Sequence, residues 1–99
     1  MAEHEEYAGQ TLRTRDHDRI RAWAEQRGAK PATVAGTDFD NELGVLRLDF
    51  PGYHGSTLTE VSWEDWLRTF DERDLEFIYQ EHTEDGRQSN FFKVIQSGG

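Results

Sequence analysis

The chain has 99 residues, a formal net charge of −9 and no cysteine. This length allows one domain with one modest core, and the lack of cysteine excludes disulfides, thiolate metal sites and cysteine nucleophiles. Because only 34% of the residues are hydrophobic and 12% are aromatic, a few large rings must supply much of the buried surface.

The N-terminal segment does not resemble a targeting signal. Residues 1–10 contain three acidic residues and no apolar run, and no stretch approaches the ~20 apolar residues of a membrane span. Together with the lack of cysteine, this favours a cytoplasmic protein that does not associate with membranes. The acidic balance also makes nucleic acid an unfavourable partner, because a negative surface repels phosphates at long range.

Hydrophobic periodicity begins only after residue 11. Residues 1–11 are therefore predicted to form a flexible acidic tail, residues 12–96 a single domain and residues 97–99 a flexible end. We expect this domain to be monomeric.

The first helix is predicted between residues 16 and 28. Thr14 or Asp16 can cap its start, and Gly28 supplies the left-handed residue that ends it. An apolar stripe at helical spacing faces the core. The stripe consists of Ile20, Trp23, Ala24 and the stem of Arg27.

A second helix is predicted after two strands at residues 30–36 and 43–50. Turn residues at 51–56 break the second strand. Ser62 then opens the helix, with Asp65 three residues later as an imperfect capping box. The apolar stripe of this helix contains Trp63, Trp66, Leu67 and Phe70.

Two final strands, at residues 75–82 and 90–95, are predicted to form a hairpin, because Asp85-Gly86 lies between them. The predicted order is therefore α-β-β-α-β-β. We expect an α+β fold, with one four-stranded antiparallel sheet and both helices on one face.

The two predicted α-β-β units raise the hypothesis of an internal duplication. Aligning Asp18 with Asp65 pairs Ile20 with Leu67 and places further apolar positions in register. The alternative is that any two amphipathic helices share such a stripe, whatever their origin.

No residue pattern indicates catalysis or metal binding. His17 lies between Asp16 and Asp18, but consecutive residues on a helix point in different directions and cannot converge on one ion. The sequence contains no nucleophile elbow, phosphate-binding loop or dinucleotide fingerprint. We therefore expect a non-enzymatic protein with no catalytic residue, no cofactor and no metal.

Two segments are candidates for binding a partner. Residues 11–30 carry six basic and three acidic residues, and Arg15 and Arg19 are the predicted contacts. The alternative is that acids elsewhere in the fold neutralise this segment. Tyr53 and His54 are the predicted contacts of the loop after Phe50, because loops on rigid scaffolds commonly bind ligands; alternatively, Tyr53 covers the core.

The motif DHDxIRxWAExRGxKPA, which starts at Asp16, resembles a family of small bacterial proteins of unknown function. Further similarity lies at residues 48–53, 62–64, 70–72 and 79–81, so the resemblance covers roughly residues 12–95. It implies an independent module and supplies no catalytic residue. Some members carry the label 1,4-alpha-glucan branching enzyme, but a branching enzyme needs a barrel of several hundred residues.

These observations predict a small acidic module that binds a protein or another macromolecular partner. The alternative is an accessory carbohydrate-binding domain linked to glucan metabolism, in which exposed aromatic rings hold sugar. Trp63, at the start of its helix, is the tryptophan expected to be most exposed.

Overall fold

The computed structural model describes residues 8–52 and 57–97. Two helices and six strands lie within these residues. In chain order they are β1 (Thr11–Thr14), α1 (His17–Gln26), β2 (Lys30–Val34), β3 (Leu46–Asp49), β4 (Leu58–Glu60), α2 (Trp63–Glu72), β5 (Leu75–Gln80) and β6 (Phe92–Gln96).

Both helices begin at residues that the sequence indicates. Asp16, rather than Thr14, caps α1: its carboxylate accepts the backbone N–H groups two and three residues further along, at 2.9 and 3.1 Å. Ser62 caps α2 in the same way, through one bond of 3.0 Å. Gly28 ends α1 with φ +69°, a value that glycine adopts without steric cost.

The predicted single four-stranded sheet is wrong. The chain forms two three-stranded antiparallel sheets, ordered β1-β5-β6 and β3-β2-β4. The hairpins β2–β3 and β5–β6 do form, but they do not pair with each other. The observed order is β-α-β-β-β-α-β-β, and with two sheets there is no single face for both helices.

The two strands missing from the prediction are short and lie at sheet edges. β1 and β4 have four and three residues, and both are dominated by polar or charged side chains. Such segments carry too little apolar alternation to be recognised as strands. β1 pairs with β5, and β4 pairs with β2. We name residues 8–52 the first half and residues 57–97 the second half. Each hairpin therefore receives its third strand from the other half of the chain.

The structure repeats at a separation of 46 residues. The helix caps Asp16 and Ser62 are 46 positions apart, as are the last-turn caps Arg27 and Arg73. The hydrogen bond from the Val34 N–H to the Val45 carbonyl likewise recurs between residues 80 and 91. The predicted alignment of Asp18 with Asp65 is therefore wrong by one residue, because Asp18 corresponds to Glu64 at this separation. At a separation of 46 the buried positions Ile20, Trp23 and Ala24 correspond to Trp66, Thr69 and Phe70. The counterpart of Trp23 is the polar Thr69, and α2 buries Leu67 in addition, which explains the error.

A single hydrophobic core joins the two halves. Trp23 lies at its centre and makes ring contacts with Phe50, Phe77, Tyr79 and Phe92, at centroid separations of 5.5–6.2 Å. The predicted inward stripe of the first helix is confirmed, including the stem of Arg27.

The indole groups of the two fully buried tryptophans also bridge the halves. Trp23 donates its Nε1–H to the carbonyl of Gln80 at 2.8 Å, and Trp66 donates to the carbonyl of Arg47 at 2.9 Å. Each bond runs from a helix of one half to a strand of the other. The indole N–H groups are thus satisfied where the rings are buried.

Arg27 is a buried cation at the end of α1. Only 1% of its side chain is exposed, and its guanidinium lies 4.2 Å from the centre of the Trp23 ring. It donates to the carbonyls of Ser89 at 2.6 Å, Trp23 at 3.0 Å and Glu81 at 3.0 Å. Burial lowers the pKa of Arg27, and the Glu81 carboxylate partly opposes this shift. The side chain fastens α1 to the loop between β5 and β6.

Replacing Arg27 with Lys should destabilise the fold by about 3 kcal/mol, because lysine keeps the charge but cannot reach several fixed carbonyls from one planar group. Urea denaturation measures this loss. Arg87→Lys is the matched control, since Arg87 is exposed and pairs only with a carboxylate two residues away; it should change stability by less than about 0.5 kcal/mol. Equal urea concentrations at the unfolding midpoints of the two variants would contradict the structural role of Arg27.

Candidate functional site

The structure describes two of the four predicted partner-binding residues. Arg15 lies between β1 and α1, and Arg19 lies on the exposed face of the first turn of α1. Both are thus placed near the same end of one helix. Tyr53 and His54 lie outside the described residues.

Part of the basic segment is neutralised within the fold. Basic side chains at the start of the domain meet acidic side chains that follow one another from the end of α2 into β5, and we name this contact the closed seam. Because these pairs are largely exposed, each contributes little stability. The ion pairs are Arg13–Glu76 at 3.4 Å and Arg15–Asp74 at 2.9 Å, and beside them the His17 ring makes a hydrogen bond of 2.9 Å with the Asp71 carboxylate.

The closed seam bears on the choice between the two interpretations of the basic segment. For Arg15, the observed partner is a carboxylate of the same chain, as neutralisation within the fold would require. Arg15 nevertheless keeps 45% of its side chain exposed, so a partner could still reach it. Contact with a partner at Arg15 and Arg19 stays a prediction.

The counterpart of the closed seam in the other half contains a cavity in place of the ion pairs. At positions 46 residues away, Val61 and Trp63 face Gly28 and Glu25, and no ion pair joins these residues. A cavity of about 410 Å³ lies there instead, and we name it the open seam. Trp63 is half-buried at its wall, whereas Trp23 and Trp66 are buried. The cavity is lined by Glu25, Gly28, Ala29, Lys30, Pro31, Glu60, Val61, Ser62 and Trp63.

A second cavity, of about 510 Å³, lies between the sheet of β2, β3 and β4 and the first residue of β6. It has an apolar wall and one charged side chain, that of Arg47. Sequence analysis did not single out this residue. Its lining consists of Val34, Arg47, Leu48, Phe50, Thr57, Leu58 and Phe92.

A third cavity, of about 370 Å³, is polar and lies beneath the β2–β3 connection. Arg73, on its wall, donates to the carbonyls of Leu43 and Gly44. Arg73 is the counterpart of Arg27, and like Arg27 it ties the end of a helix to the hairpin of the other half. Its donors serve the fold, so this cavity holds no free cation for a ligand at that position.

The tip of the β2–β3 connection exposes a phenylalanine. Phe39 is 73% exposed, the largest value among the large hydrophobic residues that the structure describes. Its N–H and carbonyl both bond to Glu42, and Asp40 and Asn41 between them have φ of 52° and 66°. These values are typical of a type I′ turn. This turn is not among the predicted elements, although Asp and Asn are residues that tolerate positive φ.

No described part of the chain forms an evident metal centre or membrane span. Within residues 8–52 and 57–97, no three His, Asp or Glu side chains are grouped so that they could hold one ion. Neither helix in these ranges is long and apolar enough to cross a membrane.

The chain was also compared with known proteins. It matches no family model, no curated protein and no solved structure.

Reversing the Arg15 charge tests the closed seam. Arg15→Glu should lower the free energy of unfolding by about 0.5–1 kcal/mol, because the new carboxylate faces Asp74. The double variant Arg15→Glu, Asp74→Arg should recover most of this loss, since it restores an opposite pair. Thermal and urea denaturation at low salt measure both effects. If the second change restores nothing, the two side chains do not interact in solution.

Proposed function

We propose that this protein is a non-enzymatic binding module that contacts a protein partner through the turn at residues 38–42, which we name the Phe39 turn. The observation that carries the proposal is an aromatic ring held out from the fold on a rigid turn. Aromatic residues are enriched at protein interfaces, and single buried anchors supply much of the binding free energy.

The position of Phe39 is fixed by the fold. Two hydrogen bonds, of 3.2 and 2.9 Å, close the turn between Phe39 and Glu42. Arg73 holds the chain just beyond the turn through the carbonyls of Leu43 and Gly44. The backbone of the turn therefore loses little conformational entropy when the ring enters a pocket, and such preorganisation favours affinity.

The charges around the ring indicate the chemistry of the partner. Asp38, Asp40 and Glu42 surround Phe39 with three carboxylates, none of which has a cationic partner within the described residues. A complementary surface has an apolar pocket with basic residues at its rim. A protein can supply both features, whereas nucleic acid would bring phosphates against the carboxylates.

Affinity capture from the native cell tests this function. The tagged full chain should retain a partner, and Phe39→Ala should reduce the retained amount at least about tenfold, the expected effect of losing an anchor residue. Phe91→Ala is the matched control, because Phe91 is also exposed but lies on the other hairpin. Capture of the same partner by both variants, or of none by the unaltered chain, contradicts the proposal.

The same assay tests the predicted contacts Arg15 and Arg19. Arg15→Glu with Arg19→Glu is compared with Phe39→Ala at low and high salt. Loss of the partner in the charge-reversal variant alone, with less salt dependence of the remaining binding, would assign the contact to the basic segment instead.

The open seam favours a second candidate function, that of an accessory carbohydrate-binding domain. It combines the ring of Trp63 with the carboxylates of Glu25 and Glu60 and the ammonium group of Lys30. An aromatic ring beside hydrogen-bonding groups suits sugars, which have both apolar C–H faces and hydroxyl groups. Cavities of this size are in the range of small-ligand sites.

Titration with maltoheptaose and glycogen tests this second function. Binding to the open seam should change tryptophan fluorescence in a saturable way, and Trp63→Leu should abolish the binding measured by calorimetry. Phe91→Ala should leave it unchanged, because Phe91 does not line the seam. Equal binding by Trp63→Leu and the unaltered chain would exclude the seam as the sugar site.

A further inference from the structure

Arg47 differs from most of the cations of this chain. Arg13, Arg15, Arg21 and Arg68 each pair with a carboxylate, and Arg27 and Arg73 donate to backbone carbonyls. The guanidinium of Arg47 makes no hydrogen bond or ion pair with the chain described here. In a chain of net charge −9, this cation is available to an external anion.

No ion pair joins Arg47 to Asp49 or Glu60, the two acidic residues on the strands of its sheet. Asp49 shares the same face of β3, but it lies directly opposite Lys30 of β2. Glu60 lies opposite Ala32, which separates it from Arg47 by the width of one strand. Neither carboxylate therefore lies directly opposite Arg47 in the register.

Arg47 also lies on the wall of an apolar cavity. Five of the other lining residues, Val34, Leu48, Phe50, Leu58 and Phe92, are aliphatic or aromatic, and Thr57 is the remaining polar one. The volume of about 510 Å³ is within the range of about 300–1,000 Å³ that is usual for ligand sites. Such sites combine an apolar lining with a few polar groups that orient the ligand.

A difference in strand register between the two halves creates part of this wall. In β1, Leu12 lies opposite Tyr79 and packs against the core. Leu58 is the counterpart of Leu12 in β4, but it lies opposite Val34. A one-residue shift in register turns a side chain to the other face of a sheet. Leu58 therefore lines the cavity instead of filling the core.

We propose that this cavity binds a small organic monocarboxylate with an apolar body, its carboxylate on Arg47 and its body against Leu58 and Phe92. The planar guanidinium matches a carboxylate through two parallel hydrogen bonds. One charged group beside an apolar wall fits a monoanion better than a phosphorylated ligand, which would require several donors. The proposal goes beyond the partner-binding function and does not depend on the Phe39 turn.

Isothermal titration with three probes of equal length tests the proposal. The probes are octanoate, octanol and octylammonium, each titrated into the full chain at low salt. Octanoate should bind at least tenfold more tightly than either of the others, because only it complements both the wall and the cation. Similar affinity for octanoate and octanol, or no binding of octanoate, would overturn the proposal.

Variants of Arg47 and of its counterpart Lys93 test where the carboxylate of octanoate binds. Arg47→Met should reduce octanoate affinity to that of octanol, whereas Arg47→Lys should retain part of the preference. Lys93→Met is the matched control: Lys93 is the counterpart of Arg47 in β6, is exposed, and does not line the cavity. A preference for octanoate that survives Arg47→Met, or that is lost equally in Lys93→Met, would overturn the assignment.

Variants of two neighbouring apolar residues locate the body of the ligand. Leu58→Asn should weaken octanoate binding at least tenfold, because it places an amide on the cavity wall. Val45→Asn should not, since Val45 is exposed and lies outside the lining. Thermal denaturation confirms that both variants fold. Unchanged binding in a folded Leu58→Asn variant would show that octanoate binds elsewhere.

Discussion

The exchange of edge strands between the two halves is the constraint on which the rest of the structure depends. A two-stranded hairpin is at best marginally stable in water, and the hairpins β2–β3 and β5–β6 each gain a third strand from the other half. The helices reinforce this exchange, because Arg27 and Arg73 bond to the hairpin connections opposite them. Neither half completes its own sheet, so the two must fold together around one core.

The candidate functional surfaces lie where the two halves differ. Two arginine–carboxylate ion pairs bridge the closed seam, whereas Trp63 and a cavity occupy the same place in the other half. The register of β4 on β2 also differs by one residue from that of β1 on β5. Leu12 therefore packs against the core, whereas its counterpart Leu58 lines a cavity. Features common to both halves, such as the arginine at each helix end, serve the fold. The asymmetric features are free to serve binding.

The sequence predicts those parts of the fold that local physics determines. Caps and apolar periodicity locate both helices, and Asp85-Gly86 indicates the final hairpin. Strand partners depend on tertiary contacts, so the placement of β1 and β4 at the edges of two sheets could not be derived from segments of three or four mostly polar residues. The candidate sites follow the same division. Asp40-Asn41 carries a local turn signal, whereas the pairing of Arg15 with Asp74 joins residues far apart in the chain.

Two arginines show why residue type alone does not separate structural from functional roles. Arg27 is buried over Trp23 and donates mainly to backbone carbonyls, so its guanidinium is out of reach of a ligand. Arg47 is exposed on an edge strand, and its guanidinium pairs with no carboxylate of the described residues. The cost of leaving such a cation unpaired is small in water, because solvent screens it. Beside an apolar wall, the same cation can attract the carboxylate of a ligand and orient it. Arg47 is distinguished by this position next to the cavity, which depends on the fold and not on residue type.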